Sequence, residues 1–124
     1  DLVFRFNGRY YLIDWKSNHL GNRPEDYAPG ALAGVMDSEL YVLQYHLYTV
    51  ALHRFLKARL EHYDYDRHMG GVFYLFLRGI APGWGPPYGI FSDRPERNRL
   101  EAIERGLSGE AEGRIPGNSS GGFP

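Results

Sequence analysis

The dipeptide Asn7-Gly8, which separates two apolar and aromatic segments, constrains the fold more than any other feature of this sequence. The first segment reads LVFRF and the second reads RYYLIDWK. Both turn residues tolerate the positive φ angles of two-residue hairpin loops, so the pattern predicts a pair of antiparallel strands. With this loop, Phe6 pairs with Arg9 and, further along the strands, Val3 pairs with Leu12.

The same register brings two acidic residues together. It pairs Asp1 with Asp14, and Lys16 projects from the same face because alternate residues of a strand share a face. The opposite face is apolar, and we expect it to form the core side, so that the charged groups point away from the core. The members of this apolar face are Leu2, Phe4, Phe6, Ile13 and Trp15.

Two adjacent carboxylates favour a bound cation, because opposed like charges destabilise a sheet and a divalent ion removes the conflict. Mg²⁺ prefers oxygen ligands and is typically held by one or two carboxylates together with water and substrate phosphate. A lysine beside such an ion can stabilise the charge of a phosphoryl transition state or help to orient a water. The local sequence also allows a structural reading, in which Asp14 and Lys16 form an ion pair at a strand end and Asp1 is solvated.

The segments after the hairpin predict three helices. The main one is predicted over Ser38–Leu60, with its first residue as N-cap and basic residues towards its end. A shorter helix, interrupted by glycines, is predicted within Pro29–Asp37, and a last helix within residues 94–106.

Two further segments predict strands. The run GVFYLFLRG is nearly continuous in apolar and aromatic residues, which is typical of a central strand covered on both faces. The run YGIF predicts a short edge strand. The resulting order β-β-α-β-(β)-α indicates an α/β fold with a mixed β-sheet flanked by helices.

Composition narrows the classes of function. The chain has 124 residues, of which 43% are hydrophobic, and this suffices for one small domain with a core. A net charge of -1 provides no general attraction to nucleic acid, and the lack of cysteine excludes disulfides and thiolate metal sites. No apolar run approaches the ~20 residues of a membrane span. We expect a domain over residues 1–107 and a flexible Gly/Ser/Pro-rich tail over 108–124.

Four stretches of the sequence together resemble one enzyme family. They read DLVFR, GRYYLIDWKSN, LQYHLYTVALHRFL and GGVFYLFLRG. An aspartate, about a dozen residues and then an apolar run that ends in D-x-K is similar to the PD-(D/E)XK nuclease motif, and the fuller pattern resembles the RecB-type nuclease domain. The resemblance covers roughly residues 1–107. It implies a restriction-endonuclease-like core that is truncated at its N-terminus.

The resemblance also implies roles for individual residues. Asp1 and Asp14 would be metal ligands, with the backbone carbonyl of Trp15 completing the site. Asp14 and Lys16 would be the catalytic residues. In this family a histidine and a glutamate from segments upstream of the first aspartate also bind the metal, so we expect this chain to hold only part of the ligand set.

Gln44 and Tyr48 match the Q-x-x-x-Y motif of RecB-type nucleases, which implies a role in binding nucleic acid. Their i, i+4 spacing places both on one face of the predicted main helix, where an amide and a phenol could reach a nucleic acid near the metal. The alternative is that Tyr48 belongs to the core packing of a tyrosine-rich helix.

The function implied by the resemblance is Mg²⁺-dependent hydrolysis of DNA phosphodiesters, with one or two ions, as in exodeoxyribonuclease V. The parent enzyme would be a bacterial cytoplasmic, nucleoid-associated helicase–nuclease that repairs double-strand breaks by homologous recombination, with RecC- and RecD-like subunits and RecA as partners and no membrane. The chain lacks GxxxxGK[ST], so ATP would be used by the helicase part. A non-cleaving module that binds DNA or RecA is the alternative.

Overall fold

The computed structural model describes residues 2–108. Asp1 and residues 109–124 lie outside this range, so the predictions made for Asp1 and for the tail beyond Ser108 fall outside the described residues. The chain divides into two compact units, Asp1–Arg94 and Pro95–Pro124. The first unit contains the hairpin and all the candidate site residues.

The first unit is built on a four-stranded mixed sheet with the strand order β1-β2-β3-β4. The strands are β1 (Leu2–Phe6), β2 (Arg9–Lys16), β3 (Met69–Phe76) and β4 (Ile90–Asp93). β1 pairs antiparallel with β2, β2 pairs parallel with β3, and β3 pairs antiparallel with β4. The predicted α/β fold with a mixed sheet flanked by helices is therefore confirmed, as expected for a restriction-endonuclease-like core.

The helices of the described residues are α1 (Pro29–Ser38), α2 (Tyr41–Arg59), α3 (Tyr65–His68) and α4 (Arg97–Leu107), with 3-10 turns at Pro24–Tyr27 and Leu77–Gly79. α1, α2 and α3 lie in the crossover that joins the parallel strands β2 and β3, and α4 belongs to the second unit. No helix within residues 2–108 has the length and apolar character needed to cross a membrane.

The hairpin has the predicted register. Asn7 and Gly8 both take positive φ angles, 52° and 78°, as a tight two-residue turn requires. Phe6 faces Arg9, and the pairing continues without a shift to Leu2 opposite Ile13. The next predicted pair joins Asp14 to Asp1, which lies outside the described residues.

The expectation about which face of the hairpin forms the core is wrong. The hydrophobic core lies on the face of Asp14, where Leu12 packs against a buried cluster from the helices and β3: Tyr27, Leu32, Met36, Tyr45, Val72, Tyr74 and Phe76. On the opposite face, Phe6 and Trp15 are 61% and 42% exposed. Both faces of the hairpin carry apolar residues, so the hairpin alone does not encode which face the crossover helices cover.

The face of the sheet opposite Asp14 carries a row of aromatic side chains. The Phe4 and Tyr11 rings stack at 5.1 Å, and the Tyr11 and Phe73 rings are 5.9 Å apart. Phe73 and Leu75 of β3 are only partly buried, whereas the alternate residues on the other side of β3 are fully buried. The prediction that this strand is covered on both faces therefore holds for one face only.

The boundary between α1 and α2 also differs from the prediction. Ser38 is the last residue of α1 rather than the N-cap of the main helix, which begins at Tyr41. Leu40 precedes α2 with a φ of 62°, a left-handed conformation that is uncommon for a residue other than glycine. The turn between the helices thus depends on a backbone conformation for which the sequence contains no glycine or asparagine signal.

Phe76→Ala should destabilise the chain by about 3–5 kcal/mol, because it leaves a cavity where a side chain is 0% exposed. Phe6→Ala is the matched control on the opposite face, where the side chain is exposed, and should cost less than about 1 kcal/mol. Urea unfolding followed by circular dichroism measures both. Equal losses for the two variants would contradict the assignment of the core face.

Tyr65 of α3 is a buried phenol within the first unit. It is 2% exposed, lies edge-on to His53 with the ring centroids 5.6 Å apart, and has the Arg94 guanidinium 4.9 Å from its own ring centroid. Burial raises the pKa of Tyr65 to about 12, although the positive charge of Arg94 acts in the opposite direction. Folding therefore favours the protonated phenol.

Stability should fall as the pH rises from about 10 to about 12, because the unfolded tyrosine loses its proton in this window while the folded one keeps it. The contribution of the protonated Tyr65 phenol to folding stability is fully present below pH 10. Tyr65→Phe should remove this pH-dependent contribution. The loss in free energy of unfolding between pH 10 and pH 12 should then be smaller by about 3 kcal/mol than in the wild type. Denaturant unfolding at pH 8 and across the alkaline range tests this, and identical slopes for wild type and variant would contradict it.

Candidate active site at the end of β2

Asp14 and Lys16 lie close together at the C-terminal end of β2. Strand alternation directs both side chains to the helix-covered face, where Lys16 Nζ is 3.4 Å from Asp14 Oδ2. The Lys16 side chain is only 16% exposed and the Asp14 side chain only 9%. The two predicted catalytic residues therefore form a largely buried ion pair rather than a solvated one.

The ion pair leaves the carboxylate incompletely satisfied. Within the described residues Asp14 Oδ2 is buried and has no hydrogen-bond partner, because the lysine is near enough for Coulomb attraction but is not aligned to donate a hydrogen bond. A buried carboxylate oxygen without a hydrogen bond is costly, and its lone pairs remain available to a ligand. This orphaned oxygen fits the chemistry of a hard cation such as Mg²⁺, which prefers carboxylate ligands.

Tyr74 of β3 lies directly beside Asp14 in the parallel register. It is 1% exposed, and its hydroxyl donates a 2.6 Å hydrogen bond to Gln44 Oε1 of α2. Burial raises the pKa of Tyr74, and the negative charge of Asp14 adds to the effect. The phenol therefore stays protonated and remains a donor, so the strand that neighbours Asp14 is tied to α2.

Gln44 and Tyr48 form the outer part of this hydrogen-bonded chain. Gln44 Nε2 donates to the Tyr48 hydroxyl at 3.5 Å, as their one-turn spacing on α2 allows. Because Gln44 also accepts from Tyr74, both ends of its amide are engaged. The structure thus connects the two Q-x-x-x-Y residues to the strand that pairs with Asp14.

Tyr48 also borders an open apolar groove between α2 and the hairpin. Its phenol is 40% exposed, and the groove has a volume of about 590 Å³. Val3 and Leu12 form the strand side, and Phe55 lies on the helix side. Tyr48 therefore combines a polar contact to Gln44 with an accessible ring, and it is not a buried core residue.

Tyr41 and Tyr74 are site residues that the sequence reasoning missed. Lys16 Nζ lies 4.2 Å from the ring centroid of Tyr41 and 5.5 Å from that of Tyr74. A signal for Tyr41 was present, because Tyr41, Gln44 and Tyr48 recur at i, i+3 and i+7 and so share one face of α2. Tyr74 could be placed beside Asp14 only once the register between β2 and β3 was known.

The remaining predicted ligands are not brought into the site by side-chain contacts. The Trp15 indole is 42% exposed on the opposite face of β2, as expected if only its backbone carbonyl has a role, and Asp1 lies outside the described residues. Within residues 2–108, no cluster of three or more His, Cys, Asp or Glu side chains could hold a metal. In the described part of the site, the carboxylate available to a cation is that of Asp14.

Comparisons with known proteins place this geometry in context. No family model matches the chain. Among curated proteins, it is 48% identical over 109 residues to RecBCD enzyme subunit RecB of Escherichia coli, a match that covers 88% of this chain and 9% of that protein. It is 55% identical over 104 residues to the RecB subunit of Haemophilus influenzae, covering 84% of this chain and 8% of the relative.

A relative with lower identity also matches most of this chain and only a small part of its own length. The RecB subunit of Mycobacterium tuberculosis is 44% identical over 109 residues, which covers 83% of this chain and 10% of that protein. The chain thus spans roughly a tenth of the length of the curated relatives that it matches. Identity of this extent over most of the chain establishes common descent, and we conclude that the chain belongs to the RecB family over the segment that it shares with these proteins.

Proposed function

We propose that this chain carries the nuclease centre of a RecB-type enzyme and hydrolyses DNA phosphodiesters with the help of Mg²⁺. The observation that supports this most directly is the orphaned Oδ2 of Asp14, a buried carboxylate oxygen 3.4 Å from a lysine amine. A purely structural ion pair would be expected to satisfy its buried oxygens with hydrogen bonds. A buried carboxylate oxygen that accepts no hydrogen bond has lone pairs available to coordinate a metal ion.

In this proposal Asp14 is one ligand of the ion, and Asp1 and the backbone carbonyl of Trp15 supply others. When bound, one or two Mg²⁺ ions would lower the pKa of a water and polarise the scissile phosphate. The burial of Asp14 strengthens its interaction with a cation, because water that would screen the charge is excluded. One carboxylate with water and substrate phosphate is within the usual coordination of Mg²⁺.

Lys16 serves the phosphoryl group rather than the metal. Its ammonium lies beside Asp14, so a phosphate oxygen bound near that carboxylate would meet a positive charge as negative charge develops in the transition state. Lysine acts here as a compact positive charge with several hydrogen-bond donors. Its contact is with a backbone phosphate, so no particular nucleobase is required. The proposed reaction is therefore independent of DNA sequence at this position.

Gln44 and Tyr48 are proposed to bind the DNA backbone next to the reacting phosphate. Tyr74 fixes the amide of Gln44 through its 2.6 Å hydrogen bond, which limits the rotation of that side chain. Tyr48 presents a half-exposed phenol at the rim of the apolar groove. Polar side chains of this kind position a nucleic acid through phosphate and sugar contacts.

We extend the proposal to the larger assembly because the relatives are named as subunits of the RecBCD enzyme. By this homology the chain would act in repair of DNA double-strand breaks by homologous recombination, in the cytoplasm of a bacterium and near its nucleoid. RecC- and RecD-like subunits and RecA would be its protein partners, and ATP would be consumed by the helicase part. Residues 1–107 would form the nuclease portion and residues 108–124 a flexible tail.

Asp14→Asn should reduce DNA cleavage by at least about 100-fold in the natural full-length protein, because it removes a charged metal ligand while keeping the side-chain volume. Mg²⁺ binding measured by calorimetry should weaken in parallel. Asp37→Asn, at an exposed position near the end of α1, is the matched control and should leave both properties unchanged. Unaltered cleavage and Mg²⁺ binding in Asp14→Asn would refute the proposal, and DNA binding without cleavage in the wild type would favour the scaffold alternative.

Lys16→Met should separate chemistry from metal binding. The variant keeps most of the apolar stem and loses the ammonium, so cleavage at saturating DNA should fall by about 100-fold while Mg²⁺ affinity is retained. Single-turnover cleavage and calorimetry on the same preparation measure the two effects. Unchanged cleavage would refute the proposed role of the ammonium, and loss of both cleavage and Mg²⁺ binding would show that the residue has a structural role.

A further inference from the structure

The amine of Lys16 lies in a corner formed by two aromatic rings, and this arrangement is separate from its contact with Asp14. Its Nζ is 4.2 Å from the Tyr41 ring centroid and 5.5 Å from the Tyr74 ring centroid. Both distances are within the range of about 6 Å in which a cation is attracted to the face of an aromatic ring. We use the term aromatic corner for Tyr41 and Tyr74.

The aromatic corner is itself held in place. The two ring centroids are 5.7 Å apart with an interplanar angle of 36°. Tyr74 is fixed by Gln44, and the Tyr41 hydroxyl exchanges hydrogen bonds of 3.3 and 3.4 Å with the side chain of Asn18, just beyond β2. Each ring is therefore anchored at its hydroxyl end, and its face remains free to contact the lysine.

The position of the amine matters because Lys16 has a second partner within reach. Without the rings, a flexible lysine beside a buried carboxylate would be expected to form a direct hydrogen bond with it, since a buried charge pair gains most from good geometry. The observed amine is 3.4 Å from Asp14 Oδ2 and is not aligned for such a bond. Attraction to the ring faces offers a physical reason for this offset.

We propose that Tyr41 is a positioning residue for Lys16, whose ring holds the ammonium beside Asp14 without allowing it to cap the carboxylate. This rests on the proposed function, because it assigns a use to both freed groups: the carboxylate oxygen for the cation and the ammonium for the phosphate. Tyr41 acts through Lys16 and need not touch DNA or metal. The neighbouring rings of Tyr74 and Phe76 hold the Tyr41 ring even without its hydroxyl, and the ring face carries the effect.

The alternative role for Tyr41 is core packing, since its ring also lies 6.5 Å from that of Phe76. Two substitutions distinguish these roles. Tyr41→Phe keeps the ring and its attraction for a cation, whereas Tyr41→Leu keeps an apolar side chain and removes the ring face. A packing role predicts similar mild effects for both, while the positioning role predicts that Tyr41→Phe retains function and Tyr41→Leu does not.

The first measurement does not depend on activity. In the nuclear magnetic resonance spectrum of the chain, protons on the carbon next to Lys16 Nζ should be shifted upfield by the ring current of Tyr41. The shift should persist in Tyr41→Phe and become much smaller in Tyr41→Leu, where the more distant Tyr74 ring remains. Lys16 protons at unperturbed positions in the wild type would overturn the inference, even if Tyr41→Leu fails to fold.

The second measurement is cleavage by the full-length protein carrying the same variants. Tyr41→Leu should lower kcat by about 10- to 100-fold with little change in KM, as expected when a catalytic group is displaced by a small distance, and Tyr41→Phe should stay near the wild-type kcat. Equal kcat values for Tyr41→Leu and wild type would overturn the inference. If Tyr41→Leu is unstable in thermal melting, Tyr41→Met fills the space with a flexible side chain and takes its place.

Comparison with Lys16→Met separates this inference from the proposed function. If Lys16→Met loses cleavage while Tyr41→Leu retains both cleavage and the upfield shift, the nuclease proposal stands and the role of Tyr41 is refuted. If Lys16→Met cleaves like the wild type, the proposed use of the lysine fails. In that case an upfield shift in the spectrum would still report the contact, but it would carry no catalytic meaning and the inference would fall with the proposed function.

Discussion

The burial of the Asp14 carboxylate is the constraint on which the rest of the site depends. It is 6% exposed on the face of the sheet that the crossover helices cover, so its charge is removed from most of its hydration. The lysine two residues later compensates the charge only in part, because Asp14 Oδ2 has no hydrogen bond within the described residues. The carboxylate oxygen therefore keeps lone pairs that accept no hydrogen bond from the described residues.

The crossover between β2 and β3 builds the surroundings of this carboxylate from distant parts of the sequence. It delivers α2 across the sheet, so that Tyr41 reaches Lys16, and it returns the chain as a parallel strand with Tyr74 beside Asp14. The hydrogen bond from Tyr74 to Gln44 then closes the connection between sheet and helix. The crossover thus brings to the candidate site the helix that covers Asp14, the aromatic rings beside Lys16 and the hydrogen bond between Tyr74 and Gln44.

Local features of the sequence were sufficient to predict those parts of the structure that depend on contacts between residues close together in the chain. The Asn7-Gly8 turn encodes the hairpin register, and the D-x-K spacing encodes the proximity of Asp14 and Lys16. The covered face of the hairpin could not be read in the same way, because the choice depends on the path of the long crossover from β2 to β3. For the same reason Tyr74 was missed, since the pairing between β2 and β3 is set by packing at long range.

The face of the sheet opposite Asp14, where Phe6 and Trp15 are 61% and 42% exposed, has a practical consequence for work with this polypeptide. A net charge of -1 gives molecules in solution little mutual repulsion, so exposed apolar side chains on this face favour association between copies at high concentration. Raising the pH above neutrality, adding arginine to the buffer or substituting the outermost Phe6 by a charged residue would increase colloidal stability without disturbing the opposite side of the sheet.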